Sequence, residues 1–309
     1  MNMRLKKSLL VLSLLAFTMA GTFAQNVLVD TKKNYSGIKR VEVESGWLNV
    51  TYKGGLGSEV NVEAYLESND SDQDIVFVTV GDVLKISHTR KQNNYNWNTK
   101  NKGYINISGP ENMALDVKGS SGNLTVENIS SRETNLRVSS GNVKAFKIKG
   151  DLSIRATSGN LTADGVTGNV EGGVTSGNGN FLNIQGNLNY ESTSGSLEAD
   201  GIGGEINVRL TSGNAKINNA GKLGSMQFTS GNIRATNSGL GPNTKFSGTS
   251  GNFRVQTNSN LKDFNFSLRA SSGNLKVGGI NTGKTLEIDN GAASWVKGNI
   301  SSGNITIEN

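Results

Sequence analysis

The chain has 309 residues, among them 40 glycines, two prolines and no cysteine, and only 6% of its residues are aromatic. Without cysteine it can form neither a disulfide nor a thiolate metal site, and it cannot carry a lipid on a cysteine. The formal net charge of +6 falls to +3 without Arg4, Lys6 and Lys7, so net charge alone points to no class of partner.

Residues 1–24 have the pattern of a cleavable secretory signal peptide. A basic start precedes an apolar run from Leu9 to Ala20, and small residues lead up to Gln25. This run is shorter than the roughly 20 apolar residues that span a bilayer, and no later stretch approaches that length. We therefore expect an exported protein without a transmembrane span in its mature part, located in the periplasm, at the cell surface or outside the cell. A retained N-terminal anchor is the alternative.

Residues 25–119 predict strands of irregular length. Apolar residues alternate with polar ones in segments such as Val41-Glu42-Val43 and Leu48-Asn49-Val50, which is the period of a strand with one buried face. The loop from Arg90 to Lys102 adds Tyr95 and Trp97 among amides and bases, a combination that suits a sugar-binding surface, although an ordinary connecting loop fits equally. We interpret this region as opening coils that cap the repeats after it, with a separate β-sandwich as the alternative.

Residues 120–309 contain a repeat marked by a Ser-Gly-Asn triplet, in which Ser196 is the one replacement of the asparagine. The triplet glycines are spaced 19 residues apart once and then 18 apart five times, before the intervals lengthen to 20, 22 and 30; they are Gly122, Gly141, Gly159, Gly177, Gly195, Gly213, Gly231, Gly251, Gly273 and Gly303. A fixed period of this length is typical of a solenoid.

Apolar residues recur at fixed offsets around each triplet. The copy at Gly159 has Leu152 and Ile154 before it and Leu161 and Ala163 after it. Two short strands joined by a glycine corner thus form one coil, and stacked coils bury each inward position in a column. The predicted fold class is all-β, a single-stranded parallel β-helix (β-solenoid) with coils of about 18 residues, in which stacked asparagines form a hydrogen-bonded ladder.

The run Thr157-Ser158-Gly159-Asn160-Leu161-Thr162-Ala163, repeated along the chain, resembles the bacterial putative-adhesin families of β-helical exported proteins, including the head GIN domain. The resemblance covers roughly residues 35–309. It implies a β-helix of exported location with adhesion as the inferred role, and it brings no catalytic or binding residues with it.

Two series of basic residues occupy outward strand positions of the predicted coils. The third residue after the glycine gives Lys216, Arg234, Arg254 and Lys276, and the fourth residue before it gives Arg137 and Arg155. Like charges on neighbouring strands repel. An extended anionic partner, such as an acidic polysaccharide or another envelope component, would explain them, while the alternative is a solubilising surface that discourages lateral pairing.

We expect a non-catalytic binding scaffold with no catalytic residues, no metal site and no cofactor, and with no nucleic-acid partner because the chain is exported. The lone histidine, His88, cannot assemble a zinc cluster or a triad by itself and is expected on an exposed strand face. An alternative is a polysaccharide-cleaving enzyme that uses Asp164 and Asp200, which two coils would separate by about 9.6 Å, the wide limit for an inverting pair. A passive structural protein of the envelope is the third possibility.

Overall fold

Stacked, in-register strands dominate a computed structural model of the chain, which describes residues 26–91 and 100–309. All 21 strands belong to one hydrogen-bonded sheet that winds around a single apolar core. The predicted β-solenoid is confirmed. The signal-peptide prediction for residues 1–24 lies outside the described residues, as do Tyr95 and Trp97.

The regular part of the solenoid has two walls joined at the Ser-Gly-Asn corner. We call the strands that precede this corner the first wall and those that follow it the second wall. The elements, in chain order, are β9 (Leu124–Ser140), β10 (Val143–Ser158), β11 (Leu161–Val166), β12 (Val170–Ser176), β13 (Gly179–Ile184), β14 (Leu188–Ser194), β15 (Leu197–Thr236) and β16 (Leu240–Gln256). β12 pairs in parallel with β14 in the first wall, and β11 with β13 in the second.

The repeat period sets the register of these strands. Leu161 pairs with Gly179, and Gly179 pairs with Leu197, so residues 18 apart are neighbours on successive coils. Leu161 and Leu197 are at most 1% exposed. Burying one such side chain contributes roughly 1.5–3 kcal/mol, and the column repeats this gain at the coils where it carries an apolar side chain.

From Gly141 onward, each Ser-Gly-Asn glycine lies directly on the backbone of the corner glycine of the neighbouring coil, whereas Gly122 lies on Leu48. Gly195 has a φ of +143°, and a Cβ there would overlap the carbonyl oxygen of Gly177. The corner therefore requires glycine both for its backbone conformation and for the contact with the neighbouring coil.

The opposite corner includes a second glycine nine residues after the triplet glycine, for example Gly168 and Gly186, but neither of these two has a left-handed φ. The left-handed residue lies three positions earlier, at Asn128, Lys147, Gly165, Asn183, Gly201, Asn219 and Asn237, with φ between 48° and 73°. The later glycines are needed for space, because a Cβ on Gly168 or Gly186 would collide with the backbone of the preceding coil.

Asparagine ladders run along the corners, as predicted. The Asn160 amide and backbone nitrogens donate to Asn142 Oδ1 at 3.1 and 3.2 Å, and those of Asn178 donate to Asn160 Oδ1 in the same way. Ser196 can only continue the backbone half of this pattern, donating its N–H to Asn178. Each such bond contributes about 0.5–1.5 kcal/mol.

At the N-terminal end, the order of coils in space is not their order in the chain. The strands are β1 (Asn26–Tyr35), β2 (Arg40–Glu44), β3 (Asn49–Gly54), β4 (Val60–Ser68), β5 (Gln73–Val80), β6 (Val83–Arg90), β7 (Asn101–Gly109) and β8 (Ala114–Gly119). β2 pairs in parallel with β6 and β8, and β3 with β7 and β9. The β2–β3 coil thus lies between two coils that follow it in sequence.

Antiparallel strands close this end. β5 pairs antiparallel with β6, β4 with β7, and β1 with β4. The direction reverses twice: at residues 55–59 between β3 and β4, and at Gly81-Asp82 between β5 and β6, where Val80 pairs with Val83.

The C-terminal end is permuted in the same way. After a 3-10 turn at Leu261–Asp263 come β17 (Asn265–Ser272), β18 (Leu275–Val277), β19 (Ile280–Thr282), β20 (Thr285–Ile288) and β21 (Trp295–Glu308). β21 pairs with β16 on one side and with β17 and β18 on the other. The last strand of the chain is therefore an inner coil, and Gly303 stacks between Gly251 and Gly273. Asn290-Gly291, which the spacing suggests as a further corner, is instead a loop: Asn290 bonds to Asn265 and Phe264.

We predict that Gly195→Ala destabilises the fold by more than 3 kcal/mol, because the new methyl group overlaps the Gly177 backbone while φ is unfavourable. Gly283→Ala is the matched control, since a Cβ there meets nothing within 4 Å, and it should change stability by less than about 1 kcal/mol. Urea unfolding followed by circular dichroism measures both; equal midpoints for the two variants would contradict the stacked-corner geometry.

Replacing Gly179 with leucine, the residue at the equivalent position of both neighbouring coils, should destabilise the fold. The Gly179 column holds Leu161 and Leu197, but a Cβ on Gly179 would lie 2.5 Å from the Tyr190 ring and 2.7 Å from the Phe181 ring. Gly179→Leu should therefore cost about 1–3 kcal/mol or more by overpacking. Tyr190→Leu should partly rescue it in the double variant. Additive losses, measured by the same unfolding experiment, would show that the two side chains do not share this space.

Candidate functional site

The two series of basic residues lie on different walls of the solenoid. Arg137 and Arg155 are register partners in the first wall, and Arg234 and Arg254 are register partners in the second. The sequence already separates the two series, one before and one after the corner glycine, and the structure does not bring them together.

Two of the four second-wall cations are paired with acids. Lys216 Nζ lies 3.1 Å from Glu198 Oε1, and Lys276 Nζ lies 2.9 Å from Glu308 Oε2. The Lys276 ammonium lowers the pKa of Glu308. Exposed pairs of this kind contribute at most about 1 kcal/mol, but each neutralises the field of its lysine.

Within the described parts of the chain, no carboxylate forms an ion pair with Arg234 or Arg254. The charge of Arg254 nevertheless contributes, after Lys276, to the lowered pKa of Glu308. Arg234 and Arg254 lie on adjacent strands, about 4.8 Å apart along the stack. Two neighbouring like charges cost about 0.2–1 kcal/mol. This stretch of the second wall therefore carries a concentrated positive charge.

The expectation of four basic residues on four consecutive coils is wrong. Arg254 pairs in register with Thr306, and Thr306 pairs with Lys276, because β21 inserts between β16 and β18. The column thus reads Arg234, Arg254, Thr306 and Lys276. Sequence spacing alone could not predict that Thr306 lies between Arg254 and Lys276, because this position results from the insertion of β21 between β16 and β18.

A groove runs between the two arginines and the asparagine ladder. It has a volume of about 540 Å³, and its lining residues are Asn232, Ile233, Arg234, Asn252, Phe253, Arg254, Asn274, Asn304 and Thr306. We call it the arginine groove. Asn252 Nδ2 donates to Asn232 Oδ1 at 2.9 Å, and Asn304 Nδ2 donates to Asn252 Oδ1 at 2.8 Å. These bonds hold one side of the groove in a fixed conformation.

The first-wall arginines line a separate groove. A groove of about 420 Å³ includes Arg137, Arg155 and Arg209 together with a row of threonines, and Gly173 continues the Arg137–Arg155 column without a side chain. Arg155 lies 3.5 Å from Glu171, and Arg209 lies 3.9 Å from Glu191. Acids are thus mixed with the bases here, unlike in the arginine groove.

Asp164 and Asp200, the carboxylates of the enzyme alternative, both end second-wall strands. Leu182 separates them by pairing with each in register. Asn183 Nδ2 donates to Asp164 at 2.8 Å, and Asn219 Nδ2 donates to Asp200 at 2.7 Å. Each carboxylate therefore stabilises the left-handed asparagine of the next coil, which is a structural role.

His88 is half-buried, in contrast to the expected exposed strand position. Its Nε2 lies 3.0 Å from Gln73 Oε1, which also accepts a hydrogen bond of 2.8 Å from Trp47 Nε1. Gln73 is buried and donates through Nε2 to Ser68 Oγ and Asn101 Oδ1. Because Oε1 is an acceptor, the neutral imidazole donates from Nε2, and its Nδ1 faces Gly46.

Metal and membrane features were searched over residues 26–91 and 100–309. No three His, Asp or Glu side chains in that part of the chain are placed to hold a metal ion. Nor does any helix there have the length and hydropathy that crossing a bilayer requires.

The chain matches one protein-family model. The family model described as Toastrack DUF4097 matches residues 38–308. No curated protein matches the chain significantly.

Several solved structures resemble the chain at low identity. One is described as a putative cell adhesion protein from Clostridium sporogenes (11% identity, 91% of this chain and 99% of that chain, TM-score 0.21). Another is described as a putative adhesin from Bacteroides fragilis (12%, 90% and 96%, TM-score 0.28). A third is described as a putative lipid binding protein from Parabacteroides distasonis (14%, 90% and 96%, TM-score 0.38). At such TM-scores these similarities do not bear on the ligand of this chain.

The stability of the N-terminal end should depend on the protonation of His88. Burial, followed by the charge of Arg90, lowers the pKa of His88 below its ordinary 6.5, so the folded state favours the neutral ring. Stability should be full above about pH 6.5 and should fall as the pH drops through and below that value. Urea midpoints between about pH 8 and about pH 5, above the carboxylate range, measure this. His88→Gln should flatten the profile, and an unchanged slope would contradict the assignment.

Proposed function

The chain belongs to the Toastrack DUF4097 family, and we propose that it is an exported, non-catalytic scaffold of the cell envelope that binds an extended anionic glycan in the arginine groove. The observation that supports this most directly is the pair of register-matched arginines, Arg234 and Arg254, without acidic partners among the described residues.

The chemistry of the groove favours carboxylate or sulfate groups. A guanidinium presents several donors in a planar fork that matches such anions. Lys216 and Lys276, at the two ends of the same column, already bind Glu198 and Glu308. In this column the cations outside ion pairs are therefore confined to two adjacent coils, and the neutral Thr306 hydroxyl beside them is a further hydrogen-bonding group.

The direction of the groove favours a polymer over a small ligand. Its lining residues come from four stacked strands of β15, β16, β21 and β18, so it runs along the stack and across the strands. Arg234 and Arg254 lie one coil apart, and a chain with an anionic group on successive sugars would contact both. A polymer also compensates for modest affinity at each group by binding several at once.

The asparagine ladder gives the site rigidity at little cost. Because the ladder amides bond to one another, Asn232, Asn252 and Asn304 are already ordered before a ligand binds. A preorganised wall loses less side-chain entropy on binding than a set of mobile side chains does. First-wall residues Arg137 and Arg155 would add a second, weaker contact surface.

The test is binding to immobilised polygalacturonate, with its methyl-esterified, uncharged form as the ligand control. Arg234→Gln/Arg254→Gln should weaken binding to the acidic polymer at least about tenfold at low salt, by loss of two charge-assisted contacts. The native protein should lose affinity as salt rises, because exposed charges are screened.

Lys216→Gln/Lys276→Gln is the matched control, since it removes the same formal charge from the same column. Its binding should stay within about threefold of the native protein because those lysines are already paired with acids. Equal losses in both variants would reduce the effect to net charge, and unchanged binding in the arginine variant would overturn the proposed site.

A further inference from the structure

The two ends of the solenoid are closed by strands of different length. At the C-terminal end the outer strands β19 and β20 have 3 and 4 residues. At the N-terminal end the outer strands β1 and β5 have 10 and 8. Short edge strands protect a sheet from pairing with another chain, whereas long ones offer a template for it. The N-terminal end is therefore the one open to strand addition.

Of the two long edge strands, β1 carries charges that oppose pairing. Lys33 turns towards the interior and lies 4.3 Å from the centre of the Phe77 ring, and Lys32 pairs with Glu63 at 3.5 Å. An inward-pointing lysine on an edge strand is a known device against edge-to-edge association.

β5 lacks such protection and has an apolar outer face. Val76, Val78 and Val80 are 38%, 47% and 60% exposed, in positions where other first-wall strands carry Lys85 or Glu42. Within residues 26–91 and 100–309, the only strand that pairs with β5 is β6. One edge of β5 thus combines unpaired backbone groups with three valines on alternate positions.

The charges around β5 indicate the kind of strand that fits. Asp72 and Asp74 lie at its start, and Asp82, which pairs with Lys39 at 3.7 Å, follows its end. No Lys or Arg occurs between residues 69 and 84. A strand with alternating apolar residues and a Lys or Arg at each end would place its cations next to these acids.

A second copy of this chain fits less well. Antiparallel self-pairing centred on Val78 sets Asp74 opposite Asp82, and self-pairing centred on Phe77 sets Asp72 opposite Asp82. Both registers bring the valines together, and both oppose like charges, which costs stability.

We propose that the free edge of β5 binds an extended segment of a partner protein, with alternating apolar residues flanked by basic ones, by strand addition to the first wall. The backbone would supply most of the affinity, and the valine row and the flanking acids would supply the selectivity. This site lies at the N-terminal end and does not depend on the arginine groove.

A synthetic peptide with alternating valine and threonine between paired lysines, labelled with a fluorophore, is the probe. Its anisotropy should rise on addition of the native protein, and Val78→Lys should weaken binding at least about tenfold by placing a charge on the edge that repels the lysines. Val27→Lys is the control, because Val27 is 56% exposed on the other edge strand; its binding should match that of the native protein. A peptide with paired glutamates at its ends should bind at least about tenfold more weakly.

Three outcomes would overturn the proposal. The first is peptide binding that Val78→Lys leaves unchanged. The second is no binding of the lysine-flanked peptide by the native protein. The third is a native dimer, seen by light scattering, that Val78→Lys converts to a monomer, which would make a second copy the occupant of the edge. None of these results depends on whether the protein binds polygalacturonate.

Discussion

Backbone-on-backbone contact at the Ser-Gly-Asn corner is the constraint on which the rest of the structure depends. From Gly141 onward, each corner glycine lies so close to that of the neighbouring coil that a Cβ would collide with its carbonyl oxygen. This contact fixes the distance between coils and puts residues 18 apart into register. The apolar columns, the asparagine ladders and the outward charge columns all follow from that register, because side chains at equivalent positions of successive coils lie next to one another.

The ends of the solenoid obey a different requirement, which is to satisfy and protect strand edges. The chain achieves this by inserting β2–β3 at one end and β21 at the other. Each inserted segment lies between two coils that are far from it in the sequence. Both inserted segments thus become inner coils with neighbours on two sides. The outermost positions are left to antiparallel strands, short at the C-terminal end and long at the N-terminal end, and this asymmetry leaves β5 open.

The distribution of charge on the surface depends on which charged side chains form ion pairs. Lys216 and Lys276 are neutralised by acids on neighbouring coils, whereas Arg234 and Arg254 are register partners beside an ordered row of amides. A repulsive pair held on a rigid wall reduces stability, and an anionic ligand would convert that repulsion into binding free energy. By contrast, the carboxylates of Asp164 and Asp200 accept hydrogen bonds from asparagine side chains of the next coil.

The amino-acid sequence by itself determined the solenoid, its 18-residue register, the inward apolar columns and the asparagine ladder, because each is a local pattern that repeats at a fixed interval. It also identified the four second-wall cations as outward residues. Only the tertiary structure decided that Thr306 separates Arg254 from Lys276, that two of the cations are paired, and that His88 is bound to a buried glutamine. The physical reason is that pairing between segments far apart in the chain depends on which edge is free when the coils stack, and no local periodicity records that choice.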